Sequence, residues 1–123
     1  MKIRIKLMAD YCAYPLWGLD LENIGDINPE SLPLSWSTIQ RLEQWSNTYN
    51  NILNWEDPAS SAFPSQESLE KFEQEGISLW LQLREELTPE YEVFYKSEIS
   101  KKLFTHPQEL QSDRFFALNK VTI

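Results

Sequence analysis

Residues 2–20, KIRIKLMADYCAYPLWGLD, decide how the rest of the chain is interpreted. In the first part, Ile3, Ile5 and Leu7 alternate with basic residues, which is the period of two of a half-buried β-strand. The second part, residues 8–20, fits neither a helical nor a strand period, although it is rich in aromatic side chains. We therefore predict a first strand followed by an apolar loop that is either a buried plug or a surface covered by a partner.

Two amphipathic helices are predicted downstream, after an irregular stretch at residues 21–34. Apolar residues recur at steps of three and four over residues 35–54, with Ser35 or Ser37 as the N-cap. A second helix with the same period is predicted to begin after the N-cap Ser65 and to end at a Thr-Pro pair. Short connections favour an antiparallel pair.

The second helix carries two features that bear on its packing. Gly76 lies on the apolar stripe, and we expect it to let the backbone of the first helix come close. Ile77 and Leu81 lie off that stripe, so the apolar arc is wider than one contact requires. The helix is either sandwiched between sheet and helix or partly covered by a partner.

A second strand is predicted over residues 91–96, and the pattern weakens after it. Residues 97–104 fit a short helix, residues 105–108 a turn and residues 114–123 a third strand. The order strand, helix, helix, strand indicates an α+β, two-layer fold in which an antiparallel helical hairpin covers a small sheet of two or three strands.

If the connections are short, the second strand runs antiparallel to the first. The 123 residues fit one domain, with a core over residues 2–96 and a C-terminal extension over residues 97–123.

Charge is distributed unevenly along the chain, whose net charge is −8. Residues 7–95 hold 16 Asp and Glu against three Lys and Arg, whereas both ends are net basic. An acidic body repels phosphate backbones and anionic lipid, and it attracts basic macromolecules. Direct nucleic-acid and membrane binding are therefore disfavoured, although the charge is equally consistent with a role in solubility alone.

Residue inventory excludes most catalytic and metal chemistry. Cys12 is the only cysteine and His106 the only histidine, and no Gly-rich phosphate loop is present. A single cysteine fits a reducing compartment, and neither a signal peptide nor a membrane span is visible. We expect a soluble cytoplasmic protein without cofactor or metal.

Carboxylates are the remaining candidates for catalytic groups. Asp10, at the end of the first strand, and Glu56 with Asp57, after the first helix, are candidates for an acid and base pair or for cation ligands. Asp10 fits equally well as an acceptor of loop amides, and Asp57 before a proline is a common turn residue. A small carboxylate-based hydrolase is therefore the enzymatic alternative.

Aromatic residues in or beside loops indicate a binding surface instead. Tyr14, Trp17 and Trp55 lie near acidic residues, which is the composition of a protein-binding hot spot. Each of them fits singly as a plug at the end of the core.

Four segments resemble a family of small acidic bacterial immunity proteins of contact-dependent inhibition and related polymorphic toxin systems. They are ADYCAYPLW at residues 9–17, LPLSWSTIQRLEQW at 32–45, LNWEDPASSAF at 53–63 and EGISLWLQLREEL at 75–87. The resemblance covers about residues 3–95 and implies a non-catalytic protein that neutralises a cognate toxin, here a basic nuclease, as a monomer or weak dimer. A non-catalytic adaptor or homodimerising domain built on Ile77 and Leu81 is the other alternative.

Under the immunity hypothesis, carboxylates stand where the phosphates of the toxin's substrate bind. The predicted partner-binding residues are Asp10, Tyr14, Trp17, Asp20, Asp26, Trp55, Glu56 and Asp57. The Glu-rich face of the second helix, with Glu67, Glu70 and Glu73, is the competing surface.

Overall fold

A computed structural model describes residues 2–20, 22, 24–57 and 61–112 of the chain. Its architecture is α+β: two long helices pack on one face of a mixed sheet. The elements within the described residues are β1 (Ile3–Leu7), β2 (Leu16–Gly18), β3 (Gly25–Ile27), α1 (Trp36–Asn50), α2 (Gln66–Leu87), β4 (Tyr91–Lys96), β5 (Leu103–Phe104) and α3 (Gln108–Ser112). The predicted α+β class and the predicted helical pair are confirmed.

The sheet is larger than predicted. Its five strands, counted over the described residues, lie in the order β3-β2-β1-β4-β5, where two or three strands were expected. The extra strands β2 and β3 fall within residues 8–20 and 21–34, which we expected to be irregular. Each is three residues long, and so short a strand shows no measurable period in the sequence.

The expected antiparallel arrangement of the two main strands is wrong, because β1 and β4 pair in parallel, with Ile5 opposite Val93. The prediction assumed that the chain makes short connections and forms no further strand between β1 and α1. Instead it adds β2 and β3 and returns along residues 28–35, so that α1 begins beside the end of α2. The amide of Ser35 donates to Oε1 of Glu86 across this junction at 2.6 Å. The helical hairpin then delivers β4 at the end of the sheet where β1 begins.

The core lies between the inner sheet face and the helices. Along β1 the inward side chains Ile5 and Leu7 are fully buried, as the period of two predicts. Trp80 of α2 is also fully buried, and its ring nitrogen donates to the carbonyl of Val93 at 2.8 Å. The buried indole therefore has the polar partner that a buried Trp requires.

Both helix starts have the predicted caps. Ser35 accepts from the amide of Thr38, and Ser65 accepts from the amide of Ser68. At the other end, α1 stops at Asn50, four residues before the predicted limit. Residues 51–57 instead form turns that leave the helix axis.

Gly76 makes a close contact, but with side chains and not with the backbone of α1 as expected. A Cβ at this position would lie 2.6 Å from the hydroxyl oxygen of Tyr95 and 2.9 Å from Cζ2 of Trp45. Ile77 is 2% exposed and Leu81 packs against the core, so the wider apolar arc of α2 is used inside the chain. The adaptor or homodimer alternative loses its basis in these two residues.

After β4 the predicted short helix over residues 97–104 is wrong. A turn at residues 98–100 leads into β5 instead. Backbone bonds close this turn, including one of 2.9 Å from the amide of Ser97 to the carbonyl of Lys102. The predicted strand at 114–123 lies outside the described residues.

Candidate functional site

An open groove of about 550 Å³ lies between α1 and the β3 side of the sheet. Three segments form its walls: the loop between β1 and β2, the stretch that follows β3, and one face of α1. The lining residues are Cys12, Ala13, Tyr14, Pro15, Asp26, Asn28, Pro29, Glu30, Ile39, Glu43, Ser46, Asn47 and Asn50.

The loop at residues 12–15 is held from both sides. The amide of Cys12 donates to Oδ1 of Asn50 at 3.0 Å, and the amide of Tyr14 donates to Oδ2 of Asp26 at 2.9 Å. Between them the hydroxyl of Ser46 donates to the carbonyl of Ala13 at 3.4 Å. These bonds fix the loop to α1 and β3, so the groove wall is formed before any partner arrives.

Beside this wall Tyr11 stacks on Tyr49 of α1, with ring centroids 4.6 Å apart. Leu16 is fully buried at the end of the loop. Tyr14, between them, is 47% exposed. The two ends of this loop are therefore packed against the protein, while its middle is accessible at the surface.

The electrostatics of the groove are one-sided. Asp26 and Glu30 lie on the sheet wall and Glu43 on the α1 wall, while no Lys, Arg or His is found among the described lining residues. Some acids elsewhere have cationic partners, as in the Arg41–Glu75 pair at 3.0 Å. In the described part of the chain, Glu30 and Glu43 form no such pair, so the groove keeps its negative potential.

Of the predicted site residues, Tyr14 and Asp26 line this groove. Asp10 precedes it in the same loop, and its Oδ1 accepts from the amide of Tyr11 at 2.8 Å. That bond is the loop-stabilising role considered for Asp10. The carboxylate remains at the surface.

Trp55, Glu56 and Asp57 lie at the same end of the molecule, just beyond the end of α1. Their turn is organised by Asn54, whose Oδ1 accepts from the amides of Glu56 at 3.0 Å and Asp57 at 3.2 Å. All three side chains are exposed, and Trp55 is 76% exposed. An exposed Trp of this kind, beside two acidic residues, is a candidate interface anchor.

Trp17 and Asp20 do not line the groove. Trp17 lies on β2, half-buried on the sheet face away from the helices, and its ring nitrogen donates to the carbonyl of Met8 at 3.0 Å. Asp20 lies beyond the opposite end of β2 and accepts from the amide of Arg4 at 3.0 Å and from its Nε at 2.9 Å. Hydrogen bonds from the backbone and side chain of Arg4 lower the pKa of Asp20.

The carboxylates of the hydrolase alternative do not form this cavity. Asp10, Glu56 and Asp57 are all absent from its lining. Over the described ranges, the structure contains no cluster of three His, Cys, Asp or Glu side chains arranged to hold a metal ion. Nor does any helix there have the length and apolarity to cross a membrane.

Sequence reasoning missed Glu30 and Glu43 as site residues. Glu43 belongs to the polar face of α1 with Asn47 and Asn50, and that face was visible from the helical period. Glu30 carried no such indication, because residues 21–34 had no predicted structure.

The groove and the exposed Trp55 thus place carboxylates and an aromatic anchor at one end of the molecule. The family model of Serratia CdiI immunity protein-like proteins matches residues 3–98, so the chain belongs to that family. The resemblance stated from the four sequence segments is thereby confirmed. Comparison with curated proteins gave no match.

Proposed function

We propose that this protein is an immunity protein that binds and neutralises a cognate bacterial toxin by direct contact. The family match over residues 3–98 supports the immunity role. We further propose that the toxin is a basic nuclease and that neutralisation takes place in the cytoplasm, where its nucleic-acid substrate lies. The protein acts by occupying the toxin as a monomer or weak dimer, without catalysis or cofactor.

The observation that carries this proposal is the acidic groove beside the exposed Trp55 turn. Both features lie at the end of the molecule where α1 stops, since Asn50 contacts the groove loop and Trp55 follows five residues later. Aromatic anchors near exposed carboxylates suit a partner with a basic, partly apolar surface.

Neutralisation follows from the same charges. A nuclease active site attracts phosphate, and surface carboxylates placed against it occupy the positions of phosphate groups. Opposite net charge also accelerates encounter, most strongly at low ionic strength. We expect the association rate to fall as salt is raised, while the apolar anchors slow dissociation.

Co-expression tests the proposal. Cells that express the toxin encoded beside this protein's gene are expected to survive when this protein is present and to die without it. The purified pair should form a complex with a dissociation constant in the nanomolar range or below, as expected for a standard interface with good anchors. Survival without any detectable complex, or death in spite of expression, contradicts the proposal.

A further inference from the structure

The geometry points to an arginine side chain of the partner as the ligand of the groove. We propose that its guanidinium group lies between Glu43 on α1 and the carboxylates of Asp26 and Glu30 on the opposite wall, against the ring of Tyr14. The identification of the donor protein as a toxin rests on the proposed function. The chemistry of the ligand rests on the groove alone.

The size of the groove suits one inserted side chain with its flanking backbone. Its volume of about 550 Å³ falls in the range of small-ligand sites, about 300–1,000 Å³. A flat acidic surface would attract cations without selecting among them. Because the carboxylates of the groove lie on two facing walls, a cation binds well only if its donors span the distance between those walls.

The charge arrangement selects a cation. Asp26 and Glu30 come from one wall and Glu43 from the other, and in the described part of the chain no basic side chain lies in the groove. Asp26 is partly engaged, because its Oδ2 accepts from the amide of Tyr14 at 2.9 Å. Its other oxygen and the carboxylates of Glu30 and Glu43 are left for a ligand.

Tyr14 favours arginine over lysine. A guanidinium group is planar, donates in a fork to carboxylates and stacks on aromatic rings, whereas an ammonium group is a compact and strongly hydrated charge. The ring of Tyr14 is 47% exposed at the groove wall, and its backbone is pinned by Asp26. The backbone that carries the aromatic platform is thus tied to the carboxylate of Asp26.

Prior ordering of the wall lowers the cost of binding. Cys12, Ala13 and Tyr14 are each tied to α1 or β3 by a hydrogen bond. Little loop entropy is lost when a ligand enters, so even a short peptide retains measurable affinity.

Matched peptides test the chemistry directly. The probes are acetyl-Gly-Arg-Gly-amide, the same peptide with lysine, and the same peptide with citrulline, which keeps the shape of arginine without its charge. Binding to the full-length ¹⁵N-labelled protein is followed by amide chemical shifts in low-salt buffer. We expect the arginine peptide to shift the amides of residues 12–14 and 26–30 and of Glu43 at millimolar concentration, at least threefold more tightly than lysine, with no saturable shift for citrulline.

Two variants connect this binding to the named side chains. Glu43→Gln is expected to weaken the arginine peptide about fivefold or more, and Tyr14→Ala should remove the preference for arginine over lysine. Glu85→Gln, the same change at an exposed position of α2, is the control and should leave binding unchanged. Equal shifts with citrulline, or equal weakening by Glu43→Gln and Glu85→Gln, would overturn the proposal.

The toxin then separates this inference from the proposed function. If the wild-type protein neutralises the toxin and Glu43→Gln binds it as tightly as wild type, the arginine inference fails and the immunity role stands. If the arginine peptide occupies the groove as described and the protein neither binds nor neutralises the toxin, the immunity role fails and the arginine site stands.

Discussion

Glu73 and Glu43 are both glutamates on the long helices, yet they occupy opposite environments. Glu73 is fully buried beneath the sheet and accepts from the hydroxyl groups of Tyr95 and Ser97 and, at 3.1 Å, from the amide of Glu98. Glu43 is exposed on the groove wall and has no ion pair within the described residues. A buried carboxylate with several internal donors holds the chain together, whereas an exposed carboxylate without a donor is free for a partner.

The difference is also visible in proton affinity. Burial raises the pKa of Glu73, and the bonds from Ser97, Tyr95 and the amide of Glu98 offset only part of that effect. Burial and the negative charge of Glu73 raise the pKa of Tyr95 in turn. The α2–β4 contact therefore contains a polar network whose loss is costly, and the groove end contains acids whose loss costs the fold little.

The largest effect is expected at Glu73. Glu73→Ala leaves two hydroxyl groups and an amide without their acceptor in the interior, so we expect the free energy of unfolding to fall by about 3 kcal/mol or more. Urea denaturation followed by circular dichroism measures the change. Glu85→Ala on the exposed side of the same helix should change it by less than about 0.5 kcal/mol. Similar losses in the two variants would remove the distinction between buried and exposed carboxylates.

A Cβ at position 76 tests how tightly the same region is packed. Alanine is favoured over glycine in a helix by about 1 kcal/mol, but here the new atom would lie 2.6 Å from a hydroxyl that Glu73 holds in place. We expect Gly76→Ala to lower the free energy of unfolding by about 1–2 kcal/mol. The exposed Gln74→Ala is the control and should be close to neutral. A stabilised Gly76→Ala protein would show that Tyr95 has room to move.

A third, smaller loss of stability is expected at the start of α1. Ser35 caps the helix by accepting from the amide of Thr38 at 3.3 Å, and its hydroxyl also reaches Glu86 of α2 at 3.2 Å. Ser35→Ala is expected to cost about 1 kcal/mol in urea denaturation. Ser37→Ala, in the first turn of the same helix, should cost less. The reverse order would mean that Ser37 is the effective cap.

The pH dependence of the free energy of unfolding should have opposite signs for Glu73 and Glu86. The raised pKa of Glu73 means that its contribution to stability is fully present below its unfolded-state pKa and is lost as pH rises through the folded-state pKa. For Glu86, partial burial acts to raise the pKa, but bonds from the amide of Ser35 and from Thr38, Gln82 and the Ser35 hydroxyl together lower it. Its contribution is present above the unfolded-state pKa and is lost as pH falls through the folded-state pKa.

Thermal melts from pH 3 to pH 8 measure this contrast. Relative to wild type, Glu73→Gln should gain stability as pH rises, and Glu86→Gln should gain stability as pH falls. Parallel profiles for the two variants would contradict the assigned pKa directions.

The smallest effect on stability is expected in the groove. Glu43→Gln removes an exposed and unpaired charge, so the free energy of unfolding should change by less than about 0.5 kcal/mol. The same urea experiment measures it beside Glu73→Ala. A loss above about 1 kcal/mol would give Glu43 a structural role and weaken its assignment to a partner.

The sequence predicted the elements whose periods are long enough to measure. The strand at β1, both helices and the strand at β4 follow from apolar spacing, and Ser35 and Ser65 follow from cap chemistry. β2 and β3 were missed because three residues carry no period. The direction of β4 was wrong because residues 28–35 return the chain to the end of the sheet where β1 begins, before α1 starts.

The candidate site was predicted in part for a similar reason. Tyr14 and Asp26 were selected by residue type, and they line the groove. Asp20 was selected by type as well, but its pairing with Arg4 depends on strand register, which no local pattern reveals. Glu43 was visible on the polar face of α1, and only the packing of β3 beside that face makes it part of a groove.

Hydrogen exchange in the complex tests the central claim most directly. The full-length protein is compared alone and with the toxin encoded beside its gene, at equal protein concentration. We predict slower amide exchange in residues 12–15, 26–30 and 54–57, with no change at residues 66–71 of α2. Protection confined to the Glu-rich start of α2, with the groove loop exchanging as in the free protein, would contradict the assignment of the partner to the groove.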